Sequence, residues 1–163
     1  MAEGRILVAE QDGVHVLKFL GDVRLNLCPS LDLYLDNAMH SSHFRNVLID
    51  LTETQGIDST SLGILAKLAV RMRKQMSGVP TLVSINNNIT RILLSMGFDK
   101  VFALVNKLDA NLDPCEQLIN TNCTEQEMQE KVLEAHRTLM ALNEKNQQEF
   151  KSLVDVLESQ CQL

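Results

Sequence analysis

A chain of 163 residues with 45 % hydrophobic residues can build one domain with an appendage, or two small units, around a sizeable core. A net charge of −6 and only 4 % aromatics, with no Trp and one Tyr, argue against a general nucleic-acid binder and against docking on an anionic membrane. No stretch has transmembrane length and no export signal opens the chain, so a cytoplasmic protein is expected, with free thiols at Cys28, Cys115, Cys123 and Cys161.

Residues 5–10 alternate weakly and read as a first strand, and Asp12-Gly13 reads as a hairpin turn. Val14, Val16, Phe19 and Leu20 mark a second strand, with His15 and Lys18 facing out and Gly21 closing it. Pro29 fits the first turn of a helix whose buried stripe is Leu31, Leu35, Ala38 and Met39. Asp32 and Asp36 fall on its other faces and are expected to be solvated. His40 and His43 are three apart in a turn with no third ligand nearby, so they read as loop histidines and not as a metal site. The cysteines form no CxxC pair and gain no zinc reading either.

Asn46-Val47-Leu48-Ile49-Asp50-Leu51 is a short apolar run of the kind found in buried strands. Thr52 to Gly56 is expected to leave the sheet. Asp58-Ser59-Thr60-Ser61 then precedes Leu62, Leu65, Leu68, Ala69 and Met72, spaced by three and four as on one face of a helix. Asp58 or Ser59 can cap its first free N–H groups, which is the ordinary use of hydroxyls and acids there. A phosphate on one of the hydroxyls would also suit a helix start. Arg71, Arg73 and Lys74 lie at the favourable end of the helix dipole, and Gly78 is expected to stop the helix. Val79 to Ile85 reads as a fourth strand, and Asn86-Asn87-Asn88 as a polar turn with an Asn cap. Ile89, Ile92, Leu93 and Met96 make a short helix closed by Gly97, and Val101 to Val105 a last strand at or near an edge. The order β-β-α-β-α-β-α-β implies an α/β domain with parallel crossovers and a mixed sheet.

From Asn46 through Ser59-Thr60-Ser61-Leu62-Gly63-Ile64-Leu65, the strand, turn and helix resemble the signature of bacterial anti-sigma factor antagonists, small STAS-domain proteins. The family pattern is Asp-Ser-Ser/Thr-Gly-Leu-Gly. The resemblance covers about residues 5 to 108 and implies a STAS-type mixed sheet with packed helices. It assigns phosphorylation to Ser59, with Thr60 as runner-up, and places Leu62 as an exposed leucine and Gly63 as the last glycine. Ser61 stands where the family has Gly. Gly21-Asp22-Val23-Arg24 matches the family's Gly-x-Leu-Asp, with Arg24 in place of the acid. Arg24 could pair with Asp58 or with a phosphate on Ser59. The implied partner surface is Asp22, Arg24, Asp58, Ser59, Thr60, Ser61 and Leu62.

Beyond the resemblance, residues 109–123 read as a linker in which Asp113-Pro114 starts a short helix carrying Leu118 and Ile119. Residues 124–163 read as a helical arm opened by the capping box Thr124-Glu125-Gln126-Glu127. Its apolar seam is Met128, Val132, Ala135, Leu139 and Leu142, then Phe150, Leu153 and Leu157, interrupted from Asn143 to Gln148. One long helix bent near the asparagines is the first expectation and a helical hairpin the second. His136 and Arg137 are expected beside the seam, solvated. Residues 120–163 hold four basic and eight acidic side chains, a net charge of −4. Such an arm can pack on the domain, pair two copies as a homodimer, or hold a second protein.

Ser59, Thr60 and Ser61 have no histidine nearby in sequence, and no nucleotide fingerprint or nucleophile elbow appears, so no enzyme, cofactor or metal is indicated. The resemblance implies phosphorylation-controlled partner switching. The unmodified chain would bind an anti-sigma factor or serine kinase-like regulator, and a phosphatase would reset it. The alternative is a constitutive interaction or scaffold domain in which Ser59 is only a cap.

Overall fold

The computed structural model describes residues 2–108 and 112–161. Residue 1, residues 109–111 of the expected linker and residues 162–163 of the expected arm lie outside the described residues.

Strands β1 (Arg5–Gln11) and β2 (Val14–Val23) form an antiparallel hairpin. Asp12 and Gly13 turn it with φ of 53° and 84°, the left-handed pair that a two-residue hairpin requires. β2 does not close at Gly21 but runs on to Val23. β3 (Asn46–Ile57) is likewise longer than its apolar run. Thr52 to Gly56 stay in the sheet because pairing with β2 resumes after two register shifts, with Leu20 opposite Glu53 and Val23 opposite Ile57. Thr54 donates its hydroxyl to the Phe19 carbonyl at 2.9 Å, and Lys18 pairs with Glu53.

β4 (Thr81–Val83) and β5 (Ala103–Val105) complete the parallel part, and β4 is shorter than residues 79–85 suggest. The sheet order is β5-β4-β3-β2-β1-β6, so β5 is an edge strand as expected. Three helices make the crossovers: α1 (Cys28–His40), α2 (Ser59–Met76) and α3 (Asn87–Ser95). The sheet is mixed because the first hairpin is antiparallel. Val47, Ile49 and Leu51 from β3 are fully buried, together with Leu17 and Phe19 from β2 and Leu65 and Ala66 from α2. The left-handed residue that ends α2 is Ser77, at φ 53°, and not Gly78.

Glu116 and Gln117 do not belong to a helix. They form β6, antiparallel to β1, and Leu118 N–H donates to the Ile6 carbonyl at 2.8 Å. An open strand edge offers unpaired backbone groups, and those outweigh the weak local helix signal after Pro114. His15 is half-buried, edge-on to Tyr34 in the middle of α1 and stacked on Phe44 in the loop after that helix. Asp36 is tied to Arg71 of α2 at 3.1 Å instead of being solvated alone.

The arm is the hairpin and not one bent helix: α4 (Glu125–Leu142) and α5 (Glu144–Gln160) meet at Asn143. The capping box at Thr124 forms on both sides. Asn143 has an extended backbone, and its side chain accepts from Asn146 N–H at 2.8 Å to start α5. The amides of Asn143 and Asn146 both donate to the Met96 carbonyl, at 3.2 and 2.9 Å, which pins the bend to the end of α3. These polar contacts set the bend of the arm, since the amides of Asn143 and Asn146 in the break of the heptad pattern each find a carbonyl. The seam also rotates. Leu133, Ala135, His136 and Leu139 are buried on α4, while Phe150 and Val154 are buried on α5 and Leu153 is exposed.

The hairpin lies along α2, and Gly63 is where the two approach. A Cβ built on Gly63 would stand 2.5 Å from both the Cβ and the carbonyl oxygen of Ala135. Glycine inside a helix costs about 1 kcal/mol relative to alanine, so its place here is explained by this approach. Gly63→Ala should therefore gain helix propensity yet loosen the hairpin, because overpacking costs about 1–3 kcal/mol. Amide hydrogen exchange should show α4 and α5 less protected while β1–β3 stay as they are.

Candidate functional site

Asp58 ends β3 and caps α2. Its Oδ1 accepts from Ser61 N–H at 2.8 Å and its Oδ2 from Leu25 N–H at 2.7 Å. Its carbonyl accepts from Leu62 N–H at 3.1 Å, and its own N–H donates to the Val23 carbonyl at 3.2 Å. One residue thus joins the ends of β2 and β3, the turn before α1 and the start of α2. Because Asp58 does the capping, the hydroxyl of Ser59 is released from that task.

Ser59 is the first residue of α2 and is half-buried. Its Oγ lies 2.8 Å from Nε2 of His136 on α4. The other ring nitrogen, Nδ1, is 2.7 Å from the Val132 carbonyl. A carbonyl can only accept, so Nδ1 carries a proton, and in the neutral ring Nε2 accepts from the serine hydroxyl. His136 is 2 % exposed and edge-on to Phe150 at 5.5 Å. It is a buried partner of Ser59, not a solvated flank of the seam. Sequence reasoning missed it because the two residues are 77 positions apart; the available hints were a glycine inside α2 and an alanine in the seam of α4.

The other candidates divide by burial. Thr60, Ser61 and Leu62 are buried, Leu62 to 1 % exposure. The leucine that the resemblance gives as exposed is thus packed in the core. The Ser61 hydroxyl, where the family has glycine, points at Cys28 Sγ, 3.5 Å away. Arg24 is exposed and donates from Nε to Asp22 Oδ2 at 2.9 Å. Its ion-pair partner is Asp22 and not Asp58, whose oxygens are already held by backbone N–H groups. Asp22 Oδ1 is buried without a hydrogen-bond partner among the described residues. Asp22, Arg24, Asp58 and Ser59 therefore form the accessible part of the site.

A half-buried ionic cluster ties α4 down one turn along. Asp32 of α1 receives Lys67 of α2 at 3.1 Å and Lys131 of α4 at 2.8 Å, and Lys67 also reaches Glu134 at 2.9 Å. Asp32 is therefore not solvated, as its place on α1 had suggested. Burial pushes the Asp32 carboxyl up, but Lys131 and Lys67 together outweigh it and hold its pKa below the usual carboxylate value. Burial likewise pushes Lys67 down, and Glu134 and Asp32 reverse that. Burial pushes the Cys28 thiol up to about 12, partly opposed by its hydrogen bond with Ser61. No group of three or more His, Cys, Asp or Glu side chains stands together as a metal site among the described residues, and no helix among them is long and apolar enough to cross a membrane.

The antiparallel first hairpin, the three parallel crossovers and the capped serine at the β3–α2 junction define a STAS-type domain. The STAS domain family profile matches residues 5–113, and the chain belongs to that family. Among solved structures, it is similar to an anti-sigma factor antagonist from Mycobacterium paratuberculosis, at 27 % identity and a TM-score of 0.57. That match covers 66 % of this chain and 89 % of the other. A comparison with curated proteins gives no match.

Two outcomes follow from these environments. Cys28 should resist iodoacetamide in the folded protein while exposed Cys115 is alkylated, because thiolate is the reactive form; peptide mass spectrometry reads both. The pH response of the ionic cluster has a definite sign. Since the folded pKa of Asp32 is depressed, its contribution is fully present above the unfolded value near 3.8 and is lost as pH falls through the folded value. Protection of α4 should decline on acidification below about pH 4, and Asp32→Asn should flatten that decline while weakening docking at neutral pH.

Proposed function

We propose that the protein is an anti-sigma factor antagonist that works by phosphorylation-controlled partner switching at Ser59. The observation that carries this reading is the Ser59 hydroxyl at the start of α2, freed from capping by Asp58, within a STAS fold similar to a solved antagonist. In the unmodified state the surface around Asp22, Arg24, Asp58 and Ser59 takes an anti-sigma factor or a serine kinase-like regulator. Phosphorylation of Ser59 adds about −1.5 to −2 charge and three acceptor oxygens, which enter the interface beside Asp58 and weaken binding. A phosphatase of the same system restores the hydroxyl. The protein is the phosphoryl acceptor, and its partners supply catalysis. Thr60 is the weaker acceptor because it is 4 % exposed.

The second reading, a constitutive scaffold, draws support from the burial of Leu62 and Ser61. There the exposed acidic hairpin would carry the lasting contact, and a homodimer through the arm would need the seam freed from α2.

Mass spectrometry of the protein purified from its native host under phosphatase inhibition decides between them. A phosphate on Ser59 is expected. Well-covered peptides without phosphate in any growth condition would leave the scaffold. A Ser59→Asp chain is expected to bind its regulator at least about tenfold more weakly, since like charges placed across an interface cost several kcal/mol at full charge and Asp carries less than phosphate.

A further inference from the structure

We infer that the C-terminal hairpin is an intramolecular cover over the switching surface, and that its docked state excludes a phosphate on Ser59. This rests on the reading of Ser59 as the phosphoacceptor.

Three contacts place the cover. At the head of α2, His136 Nε2 meets the Ser59 hydroxyl at 2.8 Å. One turn on, the Ala135 backbone lies against Gly63, leaving no room for a Cβ. Beyond that, Lys131 and Glu134 of α4 join the Asp32–Lys67 pair. A partner that reads this face meets α4 first.

The latch is sensitive to the chemistry of one hydroxyl. With a neutral ring, Ser59 donates to Nε2, because Nδ1–H faces the Val132 carbonyl. Phosphoryl transfer replaces the hydroxyl proton with phosphorus. The ester oxygen and the phosphate oxygens are then acceptors that face the lone pair of a buried imidazole. Nearby acidic groups oppose the anion, against the attraction of the helix N-terminus. Asp58 precedes the serine, and residues 120–163 carry a net charge of −4. The cover is thus an acidic element held at its tip by a neutral hydrogen bond, and an added dianion acts against both.

The consequence is a coupled equilibrium. A kinase or an anti-sigma partner gains the start of α2 only from the undocked state, and by linkage whatever binds there disfavours the docked hairpin by the same factor. Phosphorylated Ser59 keeps the hairpin off while it also repels the partner.

The test compares the full chain carrying genetically encoded phosphoserine at position 59 with the unmodified chain and with Ser59→Ala, by amide hydrogen exchange. In the phosphorylated chain α4 and α5 are expected to exchange at least tenfold faster, with β1–β3 unchanged. Ser59→Ala should shift the hairpin less, since it removes the hydrogen bond without adding charge. Hairpin amides as protected in the phosphorylated chain as in the unmodified one would overturn the inference. Equal loss of protection in the sheet would also overturn it, because the modification would then act on the whole fold. Absence of Ser59 phosphate in cells bears instead on the partner-switching reading, so the two failures are distinguishable.

Discussion

The carboxylate of Asp58 holds the ends of two strands and the starts of two helices together. It takes one backbone N–H from the turn before α1 and one from the first turn of α2, while its main chain bonds to Val23 at the end of β2 and to Leu62. The two bonds to the carboxylate are charge-assisted, the strong kind. They require β3 to extend to Ile57, and the bulged pairing with β2 supplies that length. Everything offered at the site follows from this junction. Ser59 stands at the head of α2 with its hydroxyl released from capping and turned to His136, and Ser61 turns inward to Cys28.

α2 is consequently packed on two sides. Its apolar stripe meets the sheet core and α1, as in any layered α/β domain. Its second side is covered by α4, an approach that only glycine at position 63 permits. The ionic cluster of Asp32, Lys67, Lys131 and Glu134 sits at the seam among α1, α2 and α4, where partial burial strengthens each pair beyond what open solvent allows. The same α2 therefore serves as a structural wall along its length and as a chemical surface at its start.

Much of the domain was legible as pattern. The period-two and three-four spacings located β1 to β3 and α1 to α3, and Asp12-Gly13, Asn86 and Thr124 marked the turn and caps that form. Misreadings fell where a distant segment supplied hydrogen-bond partners. Residues 52–56 stay in the sheet because β2 pairs with them, and Glu116-Gln117 is a strand because β1 has an open edge. The arm folds back at Asn143 because the Met96 carbonyl receives two amides.

The sequence by itself determined the α/β class, the place of the capped serine and the existence of a helical arm. Those depend on neighbours within a few residues, whose spacing is written in the chain. Tertiary structure alone decided that Asp58 also takes the Leu25 N–H, that Asp32 is an ionic hub and that His136 meets Ser59. Each of these depends on a partner 33 to 99 residues away, and nothing local encodes which distant side chain will arrive.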